Sequence, residues 1–93
     1  MQFNNPKVLR DPYTIAKNLG RIAEFKLGYD HAVKDISFNY QYQDEKRIAY
    51  FRGRAFAIYS KEMKFPRATW RDSVLSKAAT ERLVQAIRQR VVI

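Results

Sequence analysis

The segment Arg47-Ile48-Ala49-Tyr50-Phe51-Arg52-Gly53-Arg54-Ala55-Phe56 sets three arginines and three aromatic rings around a single glycine. A guanidinium clamps a phosphate through paired N–H donors, and a flat ring offers a stacking face to an unpaired base. The chemistry this mixture suits is polyanion binding, with nucleic acid as the ligand that carries both groups. The whole chain agrees: eighteen Lys and Arg oppose nine Asp and Glu, a formal net charge of +9 over 93 residues. Such an excess opposes folding through self-repulsion, which a bound polyanion relieves.

Catalytic chemistry finds less to work with. His31 stands beside Asp30, but general acid–base work needs a second group and an electrophile stabiliser within reach, and no motif supplies them. A surface or helix-packing histidine is the expected role. The acidic residues lack paired metal-binding spacing, and there is no glycine-rich phosphate loop or nucleophile elbow. With no cysteine there is neither a disulfide framework nor a zinc knuckle. The expectation is a non-enzymatic protein without metal or cofactor. The start of the chain, Met1-Gln2-Phe3-Asn4-Asn5-Pro6, lacks the basic and apolar blocks of a signal peptide, and no apolar run is long enough to span a bilayer. A cytoplasmic location follows as an expectation.

The elements that must position these residues are helical. Residues 1–10 read as an extended polar arm, and residues 11–93 as one helical domain, since so short a chain fills a single core. Asp11-Pro12 is a helix start, an N-cap carboxylate followed by proline at the first helical position. Ile15, Leu19, Ile22, Phe25, Tyr29 and Val33 then recur at three- and four-residue steps, predicting one amphipathic helix of about two dozen residues. Gly20 and Gly28 fall inside it, and glycine in mid-helix marks a place where another element approaches closely. Residues 35–43 alternate apolar and polar, but no second strand pattern exists to pair with them. An extended linker with its aromatics tucked against the helices is expected.

Asp44-Glu45 opens a second helix with the acidic first turn that the helix dipole favours. Its predicted buried stripe is Ile48, Phe51, Ala55, Ile58 and Tyr59, with Arg47, Tyr50, Arg54 and Lys61 on a neighbouring basic face. Phe65-Pro66 ends it. A third helical region is predicted from Thr69 to about Arg90. Trp70, Val74 and Ala78 share one face of it, while Leu83, Val84, Ile87 and Val91 form a second. That change predicts either a break near Ala79-Thr80 or one helix packed on two sides. The fold class is all-α, with three to four helices and the extended aromatic linker between helices one and two.

On this frame the nucleic-acid-binding candidates are Arg47, Tyr50, Arg52, Arg54 and Lys61, with Arg10, Arg21, Lys26, Arg67 and Arg71 as extensions of the patch. Tyr40, Tyr42 and Tyr50 have rings suited to stacking, although tyrosine also covers a core edge while its hydroxyl stays wet. That structural role is expected for them and, as a core anchor, for Trp70. Leu83, Val84, Ile87 and Val91 form a candidate protein interface, either a homodimer seam or a docking face; membrane binding is the least favoured role of this basic amphipathic stretch.

A short internal echo relates Arg21-Ile22-Ala23-Glu24-Phe25-Lys26 to Arg47-Ile48-Ala49-Tyr50-Phe51-Arg52, each followed by a glycine. It suggests two like helices crossing at their glycines. The order Gly28-Tyr29-x-x-Ala32, aromatic linker, then Gly53-x-x-x-Ala57 resembles the ribosome modulation factor family, small basic bacterial proteins of two helices and a linker that associate with the ribosome. Similar sequences occur among small phage proteins. The resemblance covers Gly28 to about Lys61. The family's Cys-Pro-Tyr is absent, with Asn39-Tyr40 or Gln41-Tyr42 in its place, and the tryptophan-rich second motif becomes Tyr50-Phe51-Arg52-Gly53-Arg54. The resemblance implies RNA or ribosome binding and translation modulation. Two alternatives stay open: a phage-type inhibitor of a host or defence protein or ribonucleoprotein complex (anti-CRISPR-like), and a DNA-binding regulator, for which a three- or four-residue turn between short helices would argue.

Overall fold

The computed structural model describes residues 11–39 and 41–92. The expected N-terminal arm with Arg10, and the ring of Tyr40, lie outside the described residues. The chain is mostly helical, with four α-helices and one two-stranded hairpin among the described residues.

Helix α1 (Pro12–Leu19) begins where Asp11-Pro12 predicts, with the Asp11 carboxylate accepting from the backbone N–H groups of Tyr13 at 3.3 Å and Thr14 at 3.1 Å. The helix expected to run on through Val33 instead breaks at Gly20. There Leu75 N–H donates to the Gly20 carbonyl at 3.0 Å, and a Cβ on Gly20 would stand 2.8 Å from the Leu75 Cβ. The close approach foreseen at this glycine is real, and it ends the helix. The chain turns and restarts as α2 (Ala23–Val33).

Helix α3 (Asp44–Glu62) crosses α2 glycine to glycine. A Cβ on Gly28 would overlap the Tyr50 carbonyl, and a Cβ on Gly53 would overlap the Phe25 carbonyl. The contact is reciprocal: each glycine lets the other helix's backbone in. Phe25 and Tyr29 then meet Phe56 with ring centroids 6.0 and 5.6 Å apart, forming the centre of the buried cluster.

This contact fixes the rotation of α3, and it is not the rotation that the apolar stripe predicts. The buried side is Ala49, Tyr50, Gly53, Phe56, Ala57, Tyr59 and Ser60. Of the expected stripe only Tyr59 is buried and Ala55 half-buried, whereas Ile48, Phe51 and Ile58 are 49%, 57% and 54% exposed. Small residues win the interface because they bring two backbones together and bury more of both helices than large side chains held at arm's length.

The third helix expected from Thr69 is also corrected. Residues 70–75 form a hairpin of β1 (Trp70–Arg71) and β2 (Val74–Leu75), paired Trp70 to Leu75 and Arg71 to Val74. Asp72 and Ser73 have φ of 53° and 64°, the two positive angles that a two-residue hairpin turn of matching twist requires. Helix α4 (Lys77–Arg88) starts behind Ser76, whose Oγ accepts from Ala79 N–H, and it runs unbroken through Ala79-Thr80. It packs on α1. Leu83 and Ile87 are buried in the core, Val84 is half-buried and Val91 is exposed, so most of the predicted protein interface is interior. Gln85 of α4 ties the two helix pairs by donating to the Tyr59 hydroxyl of α3 at 3.1 Å, and Ala68 N–H, in the segment after α3, donates to the Tyr29 hydroxyl of α2 at 2.9 Å.

Candidate nucleic-acid interface

Helix α3 positions the predicted binding residues. With 3.6 residues per turn, Arg47, Arg54 and Lys61 recur every seven residues and form a row along one edge of its outward face, one cation per ~10.5 Å of axis. The exposed Ile48, Phe51 and Ile58 run beside that row. The two sets together make a cationic edge on an apolar strip; the strip lies on the side of α3 opposite Gly53 and the cations flank it.

The cations are not equivalent. Arg47 is exposed, with its guanidinium carbon 5.9 Å from the Phe38 ring centre. Arg54 is half-buried: its Nη1 donates to the Ile36 carbonyl at 2.7 Å, and its guanidinium carbon lies 5.7 Å from Phe38 and 5.9 Å from Tyr50. Arg54 therefore helps hold residues 36–38 against α3, and its remaining N–H donors are what it can offer a ligand. Arg52 lies off the row, half-buried, with its Nε buried and without a hydrogen-bond partner among the described residues. Lys61 is exposed and shares a groove of about 530 Å³ with Arg67, Phe65 and Tyr29.

Tyr50 does not belong to this surface. Its ring is fully buried, with Phe38 and Tyr42 at 5.1 and 5.0 Å centroid distance. Asn39 N–H donates to its hydroxyl at 3.2 Å, and His31 Nδ1 lies 2.6 Å from the same oxygen. His31 thus has a structural partner, across the crossing helices. The ring left available beside the arginines is Phe51, which the sequence pattern had assigned to the interior. The cue that finds it is Ala49, Gly53 and Ala57 at four-residue steps: the small-residue face is the packing face, and Phe51 lies away from it.

The extensions of the patch separate. Lys26 is paired with Asp30 at 3.0 Å and sits over the Trp70 ring at 5.5 Å. Trp70 itself is half-buried, edge-on to Tyr29 at 5.3 Å. Arg71 is exposed on the hairpin, and Arg21 is exposed at the turn between α1 and α2, lining a different groove. At the N-terminal end of α3, Glu24, Asp44 and Glu45 line a broad cleft with Tyr42 and Lys46.

The three-residue turn at Gly20–Ile22 has the length of a helix-turn-helix connection. However, α1 packs on α4 and α2 on α3, rather than α1 on α2, and α2 carries Glu24 in its first turn. No helix among the described residues is long and apolar enough to cross a membrane. Set against family models, curated proteins and solved structures, the chain matches none of them.

Proposed function

We propose that this is a non-enzymatic, cytoplasmic RNA-binding protein that engages the ribosome or its RNA and modulates translation. The observation that carries the reading is the row of Arg47, Arg54 and Lys61 beside the exposed Phe51 on the outward face of α3. The cations take backbone phosphates, which position the ligand without reading its sequence, and the ring takes an unpaired base. The aromatic linker contributes through Phe38, which lies beneath Arg47 and Arg54. The resemblance to the ribosome modulation factor family over residues 28–61 falls on this glycine-crossed helix pair and points to the same partner.

Sedimentation of a bacterial lysate containing the tagged protein tests the proposal. Co-migration with ribosomal particles at low salt, lost at high salt and after nuclease treatment, is the expected result. A protein that stays at the top of the gradient under every condition is not ribosome-associated.

A second reading rests on the strip itself. Ile48, Phe51, Ala55 and Ile58 repeat at three- and four-residue steps with basic residues alongside, the pattern that an acidic amphipathic helix of a partner would complement. A second copy fits poorly, because antiparallel pairing along the strip would set Arg54 against Arg54 and Arg47 against Lys61. This favours a host protein or ribonucleoprotein complex as the target, as for a phage-type inhibitor. Capture of one defined acidic protein that survives nuclease and high salt would select it over RNA binding.

A further inference from the structure

The α3 face leaves a second group of cations unused. Lys17 from the last turn of α1, Arg21 from the turn that follows and Lys77, the first residue of α4, line one groove of about 240 Å³. We propose that this groove is a binding site for a phosphate group.

Three observations carry the assignment. All three cations are exposed, and none pairs with a carboxylate among the described residues. No carboxylate among the described residues lines the groove, and Tyr13 contributes a hydroxyl, whereas the Thr80 hydroxyl proton is committed to the Ser76 carbonyl. Like charges drawn from three separate segments into one concavity repel each other unless an anion sits among them. The acceptors nearby are already taken by the protein: the Gly20 carbonyl by Leu75 N–H, and the Ser76 carbonyl by Thr80 N–H and the Thr80 hydroxyl. The charged donors that remain for an anion are those of Lys17, Arg21 and Lys77. The first turn of α4 adds to this, since it contains no acidic residue and its positive dipole end opens beside Lys77.

Size selects the ligand class. The volume falls below the roughly 300–1,000 Å³ of sites that enclose a drug-sized molecule. A phosphoryl group fits, whereas a whole nucleotide would project from the groove. The phosphate can belong to a nucleic-acid backbone or to a free phosphate or phosphomonoester; the recognition chemistry is shared, and it does not depend on the α3 proposal.

Amide chemical-shift titration of the labelled protein separates these cases. Inorganic phosphate is expected to move the Gly20, Lys77 and Ala78 amides saturably, whereas chloride at equal ionic strength does not. The exposed double variant Lys17→Gln with Arg21→Gln should bind phosphate at least about tenfold more weakly, since charge-assisted hydrogen bonds are lost. Lys77→Gln, on another element, should weaken it independently. A short single-stranded RNA that moves the same amides at far lower concentration identifies the backbone as the source, and movement by phosphate alone identifies the free anion. Linear, identical responses to phosphate and chloride, or undiminished binding by both variants, would overturn the site. Neither result bears on whether α3 binds RNA.

Discussion

At the scale of single residues, several positions show a side chain working against its intrinsic preference or in place of solvent. Lys64 follows the C-terminus of α3 with φ of 58°, and Arg90 follows α4 with φ of 60°. Each closes a helix by the paired bonds of a Schellman ending: Phe65 N–H to the Ser60 carbonyl and Lys64 N–H to Lys61, then Val91 N–H to Ala86 and Arg90 N–H to Ile87. Glycine is the residue this conformation favours. Lys64→Gly should therefore raise stability by about 0.5–1 kcal/mol after the larger unfolded-state entropy of glycine is deducted, a shift readable in urea denaturation. Tyr50→Phe should do the reverse. Removing the hydroxyl leaves the half-buried Asn39 N–H and His31 Nδ1 without this partner, at about 1 kcal/mol, while exposed Phe51→Ala leaves the fold nearly unchanged. Asp11 supplies a pH test. The Thr14 hydroxyl and then the Thr14 backbone N–H hold its carboxyl below the usual range. A lowered folded-state pKa contributes stability above the unfolded value and loses it as pH falls. The Tm difference between the parent and Asp11→Ala should therefore be full at neutral pH and close in acid.

At the scale of elements, the glycine crossing of α2 and α3 is the decisive contact. Gly28→Ala or Gly53→Ala drives a methyl into the facing backbone, which cannot step aside as a side chain end would. Each should cost about 3 kcal/mol and lower Tm by roughly 10–20 °C, whereas Ala55→Gly, at a half-buried position two residues after Gly53, should cost about 1 kcal/mol. Thermal unfolding followed by circular dichroism decides it. Helix existence, the Asp11 cap and the glycine crossing were legible in the chain because each is a local pattern. The rotation of α3 was not, because the most apolar stripe and the small-residue stripe point in different directions and only the partner helix chooses between them. The hairpin at residues 70–75 was hidden for a related reason. Its turn is Asp72-Ser73, without the glycine that flags such turns, and its strands are two residues each, too short to show alternation. Once it forms, Leu75 reaches Gly20 and cuts what otherwise reads as a continuous helix.

At the scale of the whole molecule, the question is whether the charge of +9 acts as a diffuse field or through particular contacts. The cationic types were legible from composition, but their grouping was not: the chain places Lys61 with Arg67 at one groove and Lys17, Arg21 and Lys77 at another, and it commits Lys26 to Asp30. Counterion release distinguishes a field from contacts. Three phosphate contacts by Arg47, Arg54 and Lys61 on a single strand predict a log Kd against log salt slope of magnitude about 2. Arg47→Gln with Lys61→Gln lowers the formal charge from +9 to +7 and should lower that magnitude by about 1.4, because two contacts vanish. Arg54 is the wrong choice for this test, since its bond to Ile36 would confound binding with folding. Arg88→Gln with Arg90→Gln makes the same charge change at exposed positions at the end of α4. That control should weaken binding slightly and leave the slope in place, because a screened charge beyond the Debye length of about 8 Å contributes field without releasing a bound counterion. Fluorescence anisotropy with one oligonucleotide across a salt series measures all three proteins. Equal slopes for the two double variants would move the phosphate contacts off α3, and a flat response in the parent would remove nucleic acid as the ligand and leave the acidic-helix partner.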